Sequence, residues 1–182
     1  MYGAIGKILE WTLGLIITIF APILLIGVKT DQILQAHAQD VVEEFVSKAA
    51  STGQIDQASY MEFITKLDAT GVTYDVKMTH EHLVYEPTVS SAGAGVSTSY
   101  NDGFVSYYYA TGTDEILYTI YGSSTYKPYY MSYGDSFYVT AINKTPTLGS
   151  RMLTLMQLNG EENKIIAKYS AFVSRVNEKV NK

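Results

Sequence analysis

The sequence predicts an α+β protein. One long N-terminal helix, half membrane-spanning and half amphipathic, is followed by a short second helix and an antiparallel β-sheet head. Three observations support this. Trp11 to Val28 (WTLGLIITIFAPILLIGV) is 18 residues without a charge. The chain then continues to Thr52 with no Gly or Pro and with an apolar stripe at helical spacing. After Gly71 the apolar period shortens to two, the period of a half-buried strand.

The charge-free run makes about 27 Å of helix, close to the thickness of a bilayer's hydrocarbon core. It is longer than the h-region of a signal peptide, and KTDQILQ follows it in place of a small-residue cleavage site. A retained membrane helix is therefore expected, with the rest of the chain on one side, outside. The flanking charges are Lys7 and the terminal amine before the span, and Lys29 and Asp31 after it. Beyond the span, Leu34, Ala38, Val41, Val42, Phe45 and Ala49 form one apolar face, while Asp40, Glu43, Glu44 and Lys48 lie away from it. Gly53 is a natural C-terminal stop. The two halves read as one rod over residues 3–52, about 70 Å long. Pro22 lies inside it, and the hydrogen bond it removes predicts a kink or a short melted stretch. Residues 1–52 are thus the helix and 53–182 the β-rich head.

In the head, Asp56 is placed to cap a helix over Gln57–Thr70, with Tyr60, Phe63, Ile64 and Leu67 as its apolar face and Gly71 ending it. Val72, Tyr74, Val76 and Met78 then alternate with polar residues in a strand that stops at Pro87. Thr88–Gly103 is small and polar and reads as a surface loop. Phe104–Ala110 and Glu115–Tyr121 read as two strands joined by a TGTD turn. Ser123–Gly134 reads as irregular. Phe137, Val139 and Ala141 mark a further strand. Pro146 is placed to open a short helix through Met156, with Leu148, Met152, Leu155 and Met156 on one face. Asn159-Gly160 marks a turn. Lys164–Val176 fits a helical stripe and a strand face equally well.

Composition excludes much chemistry. Net charge is −5, and residues 83–126 contain no Lys or Arg, so no basic face for nucleic acid is expected. Without Cys, thiolate metal sites, iron–sulfur clusters, disulfides and Cys nucleophiles are excluded. There is no phosphate-cradling glycine loop, no HExxH and no GxSxG elbow, so neither an enzyme nor a cofactor is expected. His80 and His82 share a strand face, but zinc needs a third ligand, and the remaining His is in the first helix. The plainer reading is two exposed polar residues near a strand end. Asn143-Lys144-Thr145 is a formal glycosylation sequon followed by Pro146. Of 16 Tyr, 11 lie between Tyr100 and Tyr138. They suit either ordinary strands or an intersubunit or adhesive surface. Glu10, at the edge of the span, needs a partner or water. That partner is either Lys7 on the same helix or a group on a neighbouring subunit.

A charged N-terminal segment, an early Glu, a midway Pro and an amphipathic extension under a β-rich head resemble type IV pilin-like subunits. The closer resemblance is to TadE-like pilins and pseudopilins of Gram-positive type. It rests on GKILEWTLGLIITIFAPILL, STGQIDQASYMEFITKLDATGVTYDVKMTHEHLVYEP, GDSFYVTAINKTPTLGSRM and KIIAKYSAFV, which cover most of the chain. The start departs from the family's pattern. Gly3 and Gly6 are the candidate cleavage positions for prepilin peptidase, without a long basic leader ahead of them. The resemblance implies a structural subunit of an extracellular Tad-like pilus. Its partners would be identical subunits, the membrane before assembly, the pilus assembly machinery and prepilin peptidase. It implies that Trp11, Leu15, Ile19, Phe20 and Leu24 form the apolar filament core and that Pro22 kinks the helix there. It also implies that Glu10 and Lys7 take part in charge pairing during assembly, and that Lys164–Val173 is a strand. The alternative is a single-span surface protein whose head binds a ligand or partner without polymerising.

Overall fold

A computed structural model describes residues 2–87, 104–122, 127–155 and 164–175. The fold is α+β. Helix α1 runs unbroken over Tyr2–Thr52. It is followed by β1 (Gln54–Ile55), α2 (Gln57–Asp68), β2 (Tyr74–Pro87), β3 (Phe104–Gly112) and α3 (Thr113–Tyr121). Then come β4 (Tyr129–Tyr130), β5 (Ser136–Asn143), α4 (Leu148–Leu155) and β6 (Ile166–Phe172). Four strands make an antiparallel sheet in the order β3-β2-β5-β6, and β1 pairs with β4 in a small ribbon. Residues 88–103, expected as a loop, and the Asn159-Gly160 turn lie outside the described residues, as do Met156 and Val176.

The second half of α1 is the spine of the head. Ala38, Val42 and Val46 are fully buried, and Phe45 and Ala49 nearly so. This face packs on β5 and β6, where Phe137, Val139, Ala141, Ala167 and Val173 point inward. Phe45 stacks on Phe63 of α2 at 4.2 Å between ring centroids and meets Phe137 edge to face at 6.2 Å. Truncating a buried Phe in such a setting costs roughly 3–5 kcal/mol. Gly53 ends α1 in the left-handed region at φ 66°, and its N–H bonds the Ala49 carbonyl at 2.9 Å. A Cβ at Gly53 would collide with the Arg175 carbonyl.

One edge of the sheet is closed by side chains. Gln35 Nε2 donates to the Ile166 carbonyl at 2.9 Å, and its Oε1 accepts the Ile166 N–H at 3.1 Å. One turn on, Gln39 repeats the pair at Lys168, at 2.9 and 3.2 Å. Two amides at i and i+4 on a helix thus stand in for a neighbouring strand along β6.

Four expectations are corrected. Glu115–Tyr121 is not a strand but the body of α3. Gly112 precedes the helix, Asp114 and Glu115 sit in its first turn, and Ile116 and Ile120, four apart, are both fully buried. Burial of that i, i+4 pair outweighs the strand preference of its β-branched and aromatic residues. Pro22 melts nothing: the helix continues on both sides, because one missing bond leaves its neighbours to hold the turn. Within Ser123–Gly134, Tyr129-Tyr130 is a strand. His80 is buried rather than exposed. Within Lys164–Val176, read both ways from periodicity, Ile166–Phe172 is the strand β6, with Ala167 inward and the flanking Ile165 and Val173 buried.

Candidate functional site

The first half of α1 stands clear of the head. Its most apolar 18-residue window has a mean hydropathy of 2.3 and is 6% buried, which makes it long and apolar enough to cross a membrane. Trp11 is 80% exposed, Leu15 63%, Ile19 51% and Phe20 52%. Leu24 is half-buried and Pro22 exposed. Each such large side chain left in water forgoes roughly 1.5–3 kcal/mol, so lipid or protein must cover them. Away from its ends a helix satisfies its backbone polar groups internally, apart from the bond that Pro22 removes, and two threonine hydroxyls of this half bond back to the helix as well. Thr12 bonds the Ile8 carbonyl at 2.6 Å and Thr18 the Gly14 carbonyl at 2.8 Å.

Lys7, Glu10, Trp11, Gly14, Leu15, Thr18 and Ile19 line one shallow face of this half-helix. Glu10 and Lys7 are exposed there, and among the described residues no ion pair joins them. A Cβ at Gly6 or Gly14 would meet nothing within 4 Å. The face therefore combines a carboxylate, an ammonium and open space over Gly14. Small residues of this kind let apolar helices approach closely.

A second arrangement lies inside the head. Met78, His80 and His82 share the inner face of β2. The β2–β5 register ends at Glu81 against Ser136, which sets Asp135 opposite His82. Asp135 is 3% exposed. Its Oδ2 accepts from His80 Nε2 at 2.8 Å and from the Ser132 N–H at 2.7 Å, and its Oδ1 accepts from His82 Nδ1 at 2.6 Å. His80 Nδ1 faces the Tyr129 hydroxyl at 2.7 Å. Burial pushes the Tyr129 phenol above its ordinary value, against a hydrogen bond from Thr111. The backbone closes the turn, with the Val173 N–H on the Asp135 carbonyl at 2.8 Å and the Gly134 N–H on the Val173 carbonyl at 3.0 Å. Asp135 thus ties β2, β4, β5 and the end of β6 together.

The expected pair of exposed histidines is in this way a buried clasp, with only the His82 side chain, 43% exposed, reaching solvent. A buried polar group requires partners, and here they come from the turn before β5. Among the described residues no group of three or more His, Asp or Glu is arranged to hold a metal. Sequence reasoning missed Asp135 and Tyr129. The two-residue period of β2 already put 78, 80 and 82 on one face, but their partner depended on the β5 register. No known protein family, no curated protein and no solved structure matches the chain.

Proposed function

We propose that this chain is a structural subunit of an extracellular, TadE-like type IV-like pilus, anchored in the membrane before assembly and polymerising through the first half of α1. The observation behind this reading is a bare apolar helix that continues, without a break, into the core of the head. A helix so connected moves with its head as one rigid rod, so packing copies of the helix side by side arrays the heads around a common axis. Lipid satisfies the apolar surface first, and neighbouring helices replace it on assembly. Glu10 then neutralises the terminal amine or Lys7 of a neighbour and sets the register. Gly14, on the same face, leaves room for that neighbour. Prepilin peptidase and the pilus assembly machinery are the partners this reading requires, and no enzymatic activity belongs to it.

The test is negative-stain imaging of material sheared from cells, with an antibody to the head. The reading expects regular filaments decorated along their length. A subunit that stays wholly with the membrane fraction would contradict it and favour a single-span surface protein whose head binds a partner without polymerising.

A further inference from the structure

Helix α4 is built inside out for a soluble protein. Thr147, Gly149 and Ser150, all small, are its buried residues, while Leu148 is 63% exposed and Arg151 is exposed beside it. Met152, one turn from Leu148, is half-buried. Leu148 and Met152 belong to the apolar face that the sequence predicts for this helix. Leu148 points outward, because the small residues are what lets α4 sit close against α1. A Cβ at Gly27 would meet the Gly149 Cα at 3.2 Å. The Thr147 hydroxyl donates to Asp31 Oδ2 at 2.7 Å and accepts the Ser150 N–H at 3.1 Å. The Asp31 carboxylate thereby meets the N-terminal end of α4, where the helix dipole favours a negative charge.

The place of this docking gives the outward face its meaning. Gly27 is the next-to-last residue of the charge-free run that ends at Val28, and Asp31 is less than one turn beyond it. With 1.5 Å of rise per residue, α4 is clamped within about 5 Å of the end of the span. That is the level at which a bilayer passes from acyl chain to headgroup. Leu148, 63% exposed, stands on α4 at this level, just past Leu25 and Ile26 of the span in the chain, each 66% exposed. Arg151, three residues from Leu148 on α4, is exposed, and basic side chains at such a level reach phosphate while their stems stay on apolar surface. An apolar face bordered by basic residues is the pattern of a helix lying in the interface plane.

We infer that α4 is a membrane-interface helix: before assembly, Leu148 enters the boundary between acyl chains and headgroups, and Arg151 contacts anionic lipid phosphate. The head is then held at a set height and rotation on the bilayer, rather than swinging on α1. This rests on Trp11–Val28 being the membrane-embedded segment, and the test separates the two claims.

The chain contains no Cys and one Trp, so both positions can be probed cleanly. Leu148→Cys, at an exposed site, carries an environment-sensitive fluorophore. Tyr118→Cys, at a 75% exposed site on α3, carries the same label as a control. The full chain is reconstituted in phosphatidylcholine vesicles containing phosphatidylglycerol. Trp11 should be quenched by acyl-chain nitroxide lipids. The label at 148 should be blue-shifted and quenched several-fold more by a headgroup nitroxide lipid than the label at 118. Quenching of Trp11 with a water-like label at 148 would overturn the interface helix and leave the span intact. A label shielded from aqueous iodide but insensitive to lipid quencher would put a second copy on this face and also overturn it. Trp11 unquenched by lipid would remove the span and this inference with it.

Discussion

Glu10 is the last charge before a run of apolar residues, and its neighbours on α1 leave it exposed and without an ion pair to Lys7. In the proposed filament, that carboxylate is paired by a cation of a neighbouring copy. Glu10→Ala is therefore expected to impair assembly more than insertion, since removing a charge eases insertion. It would strand a buried cation at a cost of roughly 3–5 kcal/mol, and Glu10→Gln should be milder. The ratio of sheared to membrane-bound subunit, compared across wild type, both variants and Lys7→Ala, checks this. If the only partner were Lys7 on the same helix, a few tenths of a kcal/mol would be lost and filaments would form normally. A second prediction concerns acid. Asp56 caps α2: its carboxylate is bonded by the Ser59 hydroxyl and accepts the Ser59 N–H at 2.7 Å. The Ser59 hydroxyl first, and its N–H second, hold this carboxyl below its ordinary value, while burial opposes them. A depressed folded pKa gives stability that is present above the unfolded value and is lost as pH falls through the folded one. Asp56→Asn keeps a capping oxygen but does not titrate. Its deficit relative to wild type, of order 1 kcal/mol or less, is expected to shrink as pH is lowered below about 4, read by urea unfolding across pH. A constant deficit would contradict the assignment.

At the scale of elements, α1 and the sheet are joined by side-chain amides as well as by apolar packing. Gln39→Ala should free the Lys168 N–H and carbonyl on the outer edge of β6, costing about 1–2 kcal/mol. Amide exchange should accelerate at Lys168 and stay near native at the β5-paired Tyr169. Uniform acceleration along β6 would mean that the amide clamp does not close the edge locally. The elements also show what could be read ahead of the structure. The long helix, the capped α2, and strands β2 and β5 followed from period and punctuation, because each buries one face against a single neighbour. Helix α3 did not. EILYTIY is β-branched and aromatic, and its helical state is decided by Ile116 and Ile120 filling the core together, a tertiary effect. The apolar face of α4 was legible, but the outward direction of Leu148 was set by the close approach of Gly149 to Gly27. The His80–Asp135–His82 clasp depended on strand register, which a sequence does not print.

For the whole molecule, the head's core and the membrane rod share one helix. Residues 29–182 expressed alone should be soluble, folded and monomeric, because they keep Val42, Phe45 and Val46 in place. Residues 53–182 should not fold, since the faces of β5 and β6 that α1 covers would be bare. Comparing the two fragments by circular dichroism and thermal melts checks this, and a cooperative transition in the shorter one would contradict it. The same sharing makes the filament reading testable at one residue. Trp11 is the chain's single Trp and is 80% exposed in the isolated subunit. In sheared, lipid-free filaments it has no acyl chains to enter, and a helical core is the cover the account gives it. The most direct measurement is Trp11 fluorescence in such material. Assembly through α1 predicts blue-shifted emission that aqueous iodide does not quench. Red-shifted, iodide-quenched emission from intact filaments would mean that the subunits polymerise through some other surface.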